Sequence, residues 1–108
     1  MAEVIYNEAR GESLKGRLAV GQVVINRTKS MWFPDTICAV VYEPGQFSWT
    51  KDKHRRIPDA EAYRVARLVI SHNHFLYRFN ALYFHQVGIS PGWNKRKIAV
   101  IGKHIFYS

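Results

Sequence analysis

Apolar residues at Ala2, Ile5 and Ala9 recur at the spacing of one helix face, and Gly11 follows as a natural stop, so residues 2–10 predict a short helix. A second helix is predicted over residues 13–29. Its apolar positions, Leu14, Leu18, Val20, Val23, Val24 and Ile25, cover so much of the circumference that it should be the buried centre of the fold. Gly16 and Gly21 would let neighbours approach closely, and Asn26 and Arg27 would need polar partners inside. A third helix of two or three turns fits Ile37, Val40 and Val41, with Asp35 or Thr36 as the cap and Pro44-Gly45 as the stop. "QFSWT", residues 46–50, reads as extended. Pro58 opens the best-patterned helix, residues 59–71, with Ala62, Tyr63, Ala66, Val69 and Ile70 inward and Arg64 and Arg67 outward. Asp59 and Glu61 in its first turn agree with the helix dipole.

Beyond residue 80 the pattern changes. "ALYFHQV" and "KIAVIGKHIFY" are rich in β-branched and aromatic residues, and "GISPGWNKRK" between them carries Gly, Pro and Asn turn signals, which predicts a long-looped antiparallel hairpin. Tyr83 and His85 alternate with Leu82 and Phe84, so one strand face would be apolar and the other would present polar tips. Helices first and a small antiparallel sheet last make the fold class α+β, mostly helical, with the hairpin packed on or beside the helical core. A chain of 108 residues suits one domain, residues 1–108.

Hydrophobic residues at 47% with 22% charged place the chain among globular proteins and exclude a disordered tract. The longest apolar runs are too short to span a bilayer, and the first residues lack the basic segment and apolar core of a leader peptide. The lone Cys38 sits among apolar residues and reads as a small buried core side chain. Sixteen Lys and Arg against eight Asp and Glu give a net charge of +8, which favours a polyanionic partner: nucleic acid, anionic lipid or bacterial wall polymers. The basic runs "KDKHRR" and "NKRK" read equally as solvated loops. His72 and His74 in "SHNH" have no acidic neighbours in sequence, so neither a metal site nor a cofactor is expected.

"YNEARGE" carries the most pointed chemistry. Glu8 falls at the C-terminal end of the first helix, where the dipole disfavours a carboxylate, and its apolar neighbours would desolvate it. Both effects raise its pKa and make an acid able to give a proton near neutral pH. Glu12 is one turn further on. If the helix ran through Gly11, each carboxyl would resist ionisation of the other; if the helix stops there, Glu12 is expected to cap the next one.

"NEARGE", then "KGRLAVGQVVINRTKS", "FPDTICAVVYEPGQFSW", "ALYFH" and "IGKHIFY" resemble, in order and spacing, the SleB/CwlJ type of cell wall hydrolases, the cortex-lytic family of spore germination. The resemblance covers nearly the whole chain, and "EARGE" and "GQFSW" are its most specific parts. It implies a lysozyme-like catalytic domain that cleaves the β-1,4 bond between N-acetylmuramic acid and N-acetylglucosamine in peptidoglycan, with Glu8 as the essential acid. It also implies kinship with lytic transglycosylases, in which one carboxylic acid suffices and the product carries a 1,6-anhydro ring. A hydrolytic muramidase would need a second carboxylate, for which Glu12 is the candidate.

Gln46, Phe47 and Trp49 are candidate sugar contacts, as are Tyr83 and His85; His104 and Trp93 read as structural. Peptidoglycan is the expected substrate, with attraction of the basic chain to anionic wall polymers, and a monomer is the expected state. Without a leader, a phage-type lysin made in the cytoplasm and released at lysis is one reading, and an excised catalytic domain is the other. The rival from another class is a basic nucleic-acid-binding domain, which accounts for the charge but leaves "EARGE" and "GQFSW" without a role.

Overall fold

The computed structural model describes residues 1–71 and 79–108, so His72 and His74 lie outside the described residues. Four helices come first: α1 (Ala2–Ala9), α2 (Leu14–Thr28), α3 (Ile37–Val41) and, after a 3-10 turn at Ser48–Lys51, α4 (Ala60–Ser71). Three strands follow, β1 (Tyr83–Gln86), β2 (Lys97–Ile101) and β3 (His104–Tyr107), in an antiparallel sheet of spatial order β1-β3-β2. The α+β class read from the pattern is the one observed.

α2 is the axis of the molecule, as its apolar circumference predicts. One side of it, with Leu18 and Ile25, packs on Ile5 of α1 and on Ala62, Val65, Ala66 and Val69 of α4. The other side, with Val20, Val23 and Val24, meets Val40 and Val41 of α3, Phe47, and Phe106 of the sheet. Ser13 starts the helix by accepting the Gly16 N–H at 3.3 Å, which satisfies one of the orphan donors of the first turn. Gly21 is needed where α4 crosses, because a Cβ there would come within 2.8 Å of Val69 Cγ2. Asn26 and Arg27 do find partners inside. Asn26 Nδ2 donates to the carbonyls of Phe79 and Ala81, both at 2.9 Å, and Arg27 Nε donates to that of Leu82 at 2.8 Å. These bonds fasten the strand that enters the sheet to the end of α2.

Several local expectations are corrected. α4 buries Ala62, Val65, Ala66 and Val69, whereas Tyr63 and Ile70 are exposed on a flank that no described element covers. α3 has only five residues and turns Val40 and Val41 inward, which leaves Cys38 exposed rather than in the core; its cap is Thr36, whose hydroxyl accepts the Ala39 N–H at 3.2 Å. Residues 46–50 are not extended: the Thr50 hydroxyl donates to the Phe47 carbonyl at 2.7 Å and the chain closes into the 3-10 turn, with no strand among the described residues pairing it. The hairpin is also placed differently. "KIAVIGKHIFY" holds two strands, joined tightly at Gly102 and Lys103, and β1 pairs with β3, so the long connection of residues 87–96 runs to the far edge of the sheet. Gly102 takes φ of +58°, which a side chain disfavours.

Phe84 opposes Phe106 and Gln86 opposes His104 on the face toward the helices, while Tyr83 opposes Tyr107 and His85 opposes Ile105 on the other. Both basic runs are exposed. Among the described residues no helix is long and apolar enough to cross a membrane.

Candidate active site

α1 ends because Arg10 leaves helical geometry at ψ of 130° and Gly11 adopts φ of +92°, so the chain turns from Glu8 into the start of α2 at Leu14. This turn forms one wall of a cleft of about 510 Å³. Glu8, Arg10, Gly11 and Glu12 line it from the helical side, Gln86 and Val87 from the end of β1, and Lys103 and His104 from the β2–β3 turn. The sheet register brings the last two groups together, since Gln86 is the Cα partner of His104.

Glu8 sits in the last turn of α1, half-buried, and burial pushes its carboxyl above the usual carboxylate range. The negative end of the α1 dipole acts in the same direction. An acid held this way keeps its proton to higher pH and can pass it to a leaving oxygen.

Glu12 is not the cap of α2, a position that Ser13 takes. It turns sideways instead: Oε1 accepts the Lys103 N–H at 2.7 Å and lies 3.4 Å from His104 Nδ1. His104 is 3% exposed and edge-on to Phe84 with ring centroids 5.3 Å apart. Burial holds its imidazole below the ordinary histidine pKa, with the Glu12 carboxylate and a hydrogen bond to the Glu8 backbone opposing that effect. His104 is thus structural in its burial, as expected, yet it also lines the cleft.

The structure brings Glu8 and Glu12 into one cleft and places the other anticipated residues around it. Gln46 is exposed and accepts from Arg27 at 3.1 Å; Phe47 is a core residue, and Trp49 stacks on it at 5.8 Å. None of these three lines the cleft at Glu8. Tyr83 and His85 share the outer face of the sheet. There His85 Nδ1 donates to the Gln86 carbonyl at 2.8 Å, which leaves Nε2 to accept the Tyr107 hydroxyl at 2.7 Å. Trp93, read from the sequence as structural, packs edge-on to both rings and is 38% exposed, with Lys95 Nζ 3.8 Å from the Tyr83 centroid. Gln86, Lys103 and Arg10 enter the cleft without having stood out in the sequence. Gln86 was discoverable from strand parity with Phe84, and Lys103 from the Gly-Lys pair that breaks "KIAVIGKHIFY" into two strands.

Residues 11–107 match the sequence profile of the cell wall hydrolase family. The chain belongs to this family. The spore cortex-lytic enzyme of Oceanobacillus iheyensis is 36% identical over 109 residues, which are 98% of this chain and 39% of that protein. The chain therefore spans about two-fifths of the length of this curated relative. Among solved structures, the catalytic domain of the germination-specific lytic transglycosylase SleB from Bacillus anthracis superposes with a TM-score of 0.87 at 34% identity, covering 100% of this chain and 90% of that one. The catalytic domain of the Bacillus cereus SleB protein gives 0.84 at 33% identity, covering 100% and 86%. This cell wall hydrolase chain is thus similar in sequence to SleB catalytic domains and matches their fold over its full length.

Proposed function

We propose that this cell wall hydrolase cleaves the β-1,4 bond between N-acetylmuramic acid and N-acetylglucosamine as a lytic transglycosylase, with Glu8 as general acid and then general base. The Glu8 carboxyl gives its proton to the glycosidic oxygen as the bond to the anomeric carbon breaks. The muramic acid C6 hydroxyl then bonds to that carbon, and its proton returns to the Glu8 carboxylate, closing a 1,6-anhydro ring without added water. The observation that carries this reading is that Glu8, at the edge of an open cleft, has its carboxyl pushed above the usual range by burial. The likeness to a SleB domain described as a lytic transglycosylase supports the same reaction.

The other seven carboxylates favour one acid over two. Glu3 bonds Tyr42 and Arg55, Glu61 bonds Arg17 and Arg64, Asp59 caps α4 at the Ala62 N–H, and Asp52 accepts the His54 N–H. Asp35 and Glu43 do not line the cleft, and Glu12 does so with Oε1 already engaged by Lys103. A hydrolytic muramidase would need a second carboxylate across the scissile bond to activate water or form a glycosyl-enzyme. Gln46, Trp49, Tyr83 and His85 are proposed to contact the glycan beyond the cleft, with the buried Phe47 backing Trp49 rather than touching sugar, and the charge of +8 to draw the chain to anionic wall polymers.

Mass spectrometry of murein digested by the purified protein tests the reaction. Primary products lighter than hydrolytic ones by the mass of one water are expected. Reducing muramic acid ends as primary products would overturn the single-acid mechanism.

A further inference from the structure

Glu12 makes contacts that its place in the sequence does not call for. It follows α1 and precedes the cap of α2, yet it reaches across to a residue 91 positions away, with its side chain only 10% exposed. We propose that Glu12 is a positioning residue of the active site: its carboxylate locks the Gly102–Lys103 turn and thereby sets the His104 imidazole in the wall of the cleft that holds Glu8. The inference rests on Glu8 being the acid and goes beyond it by giving the second glutamate a role other than catalysis.

Three observations converge on this. The Lys103 N–H, at the tightest point of the β2–β3 connection, donates to Glu12 Oε1 at 2.7 Å, so the carboxylate supplies the partner that the turn itself does not. Gly102 lies directly against the same carboxylate, since a Cβ built there would run into Glu12 Oε1. The carboxylate thus occupies the place where a side chain at position 102 would begin. Finally, His104 Nδ1 is buried with no hydrogen-bond partner of good geometry, and Glu12 Oε1 at 3.4 Å is the acceptor it faces. The Glu12 carboxylate and the Glu8 backbone both face the His104 ring as acceptors, so the set of this ring ties the β2–β3 turn to the end of α1 that carries the acid. A site built by helix and sheet together depends on such a tie, because small displacements of supporting groups degrade the reacting geometry.

Kinetics on murein with Glu12→Gln, Glu12→Ala and Gly102→Ala separate positioning from catalysis. Glutamine keeps an oxygen for the Lys103 N–H, so Glu12→Gln should retain most of kcat. Glu12→Ala frees the turn and Gly102→Ala forces the carboxylate aside, so each should lose about 10- to 100-fold in kcat with little change in KM. Circular dichroism at the assay temperature identifies variants that remain folded, and either one of this pair suffices. Nitrogen-15 and proton shifts of the His104 ring should be alike in the parent and in Glu12→Gln, and should move when the tie is cut. Glu12→Gln as inactive as Glu12→Ala would make Glu12 a catalytic carboxylate and overturn the proposal. Full kcat in folded Glu12→Ala and Gly102→Ala would overturn it as well. Failure of the underlying reading has a different signature, undiminished turnover in Glu8→Gln.

Discussion

The Arg27 guanidinium donates to Gln46 Oε1 at 3.1 Å from a position that is 5% exposed, so a buried cation at the end of α2 holds the side chain that opens "QFSW". The same guanidinium bonds the Leu82 carbonyl and lies 4.7 Å from the Phe33 ring centroid and 5.7 Å from that of Tyr83. One residue thus joins the helical core, the loop after α3 and the start of β1. Gln46 retains its amide nitrogen and the second lone pair of Oε1 for a ligand.

Replacing Arg27 by Met keeps the apolar stem and strands these acceptors, at a cost of about 2 to 3 kcal/mol. For a domain of this size the melting temperature should fall by roughly 10 °C or more. Arg27→Lys should lie between, since an ammonium cannot fork between the Leu82 and Gln46 oxygens in the same way. A thermal melt of Arg27→Met that overlays the parent's would remove Arg27 from this structural role.

The pattern of the chain announces elements better than their neighbours. α2 is legible because its apolar residues go all round, a signature that no surface helix shares. The partners of Asn26 and Arg27 were legible as a need, but their identity was not, because they are carbonyls some fifty positions downstream whose location only the fold supplies. α4 shows the limit of periodicity: Tyr63 and Ile70 flank the true stripe closely enough to pass for it, and only the crossing with α2 selects Val65 instead. At the site, Glu8 stands out by its place at a helix end, a local property. Glu12 also stands out, as a possible second carboxylate or a cap, but its contact does not, because the bond to Lys103 is non-local and Ser13 takes the capping role one residue later.

The crossing of α2 and α4 gives a second test. Gly21→Ala would press a methyl group against Val69, and neither backbone can withdraw without opening the packed layer, so a loss of about 1 to 3 kcal/mol is expected. Trimming the partner should restore part of it: the pair Gly21→Ala with Val69→Ala should be less destabilised than the sum of the two single changes. Additive losses in urea denaturation would mean that the two side chains do not meet.

Val23 and Lys95 contrast the core with the basic loop. Val23 is fully buried, and Val23→Asp would place an unpaired carboxylate there, which should prevent folding. Lys95 is exposed and its one notable contact is with the Tyr83 ring, so Lys95→Ala should cost at most about 1 kcal/mol. Equal melting temperatures for the two variants would contradict the placement of α2 at the centre.

Glu8 couples activity to stability through its proton. Burial raises its carboxyl pKa in the folded state, so the folded chain holds that proton more tightly than the unfolded one. The stability linked to Glu8 is therefore fully present below the ordinary value of 4.5 and is lost as pH rises through the raised folded value. At neutral pH the ionised, desolvated carboxylate is a net strain on the fold. Glu8→Gln keeps the shape and removes the charge, so it should melt higher than the parent at pH 7, with the gap closing as pH is lowered toward 4.5. The same substitution removes the transferable proton and should lower murein turnover by about 10² to 10⁴. In the parent, kcat/KM should fall on the alkaline side at a pH above the usual carboxylate range, where free Glu8 gives up its proton. A variant that is more stable and far less active at pH 7 joins the two effects in one residue. A Glu8→Gln protein that melts lower than the parent at pH 7 would show that the Glu8 carboxylate is stabilised by the fold, and would remove the physical basis for its acidity in catalysis.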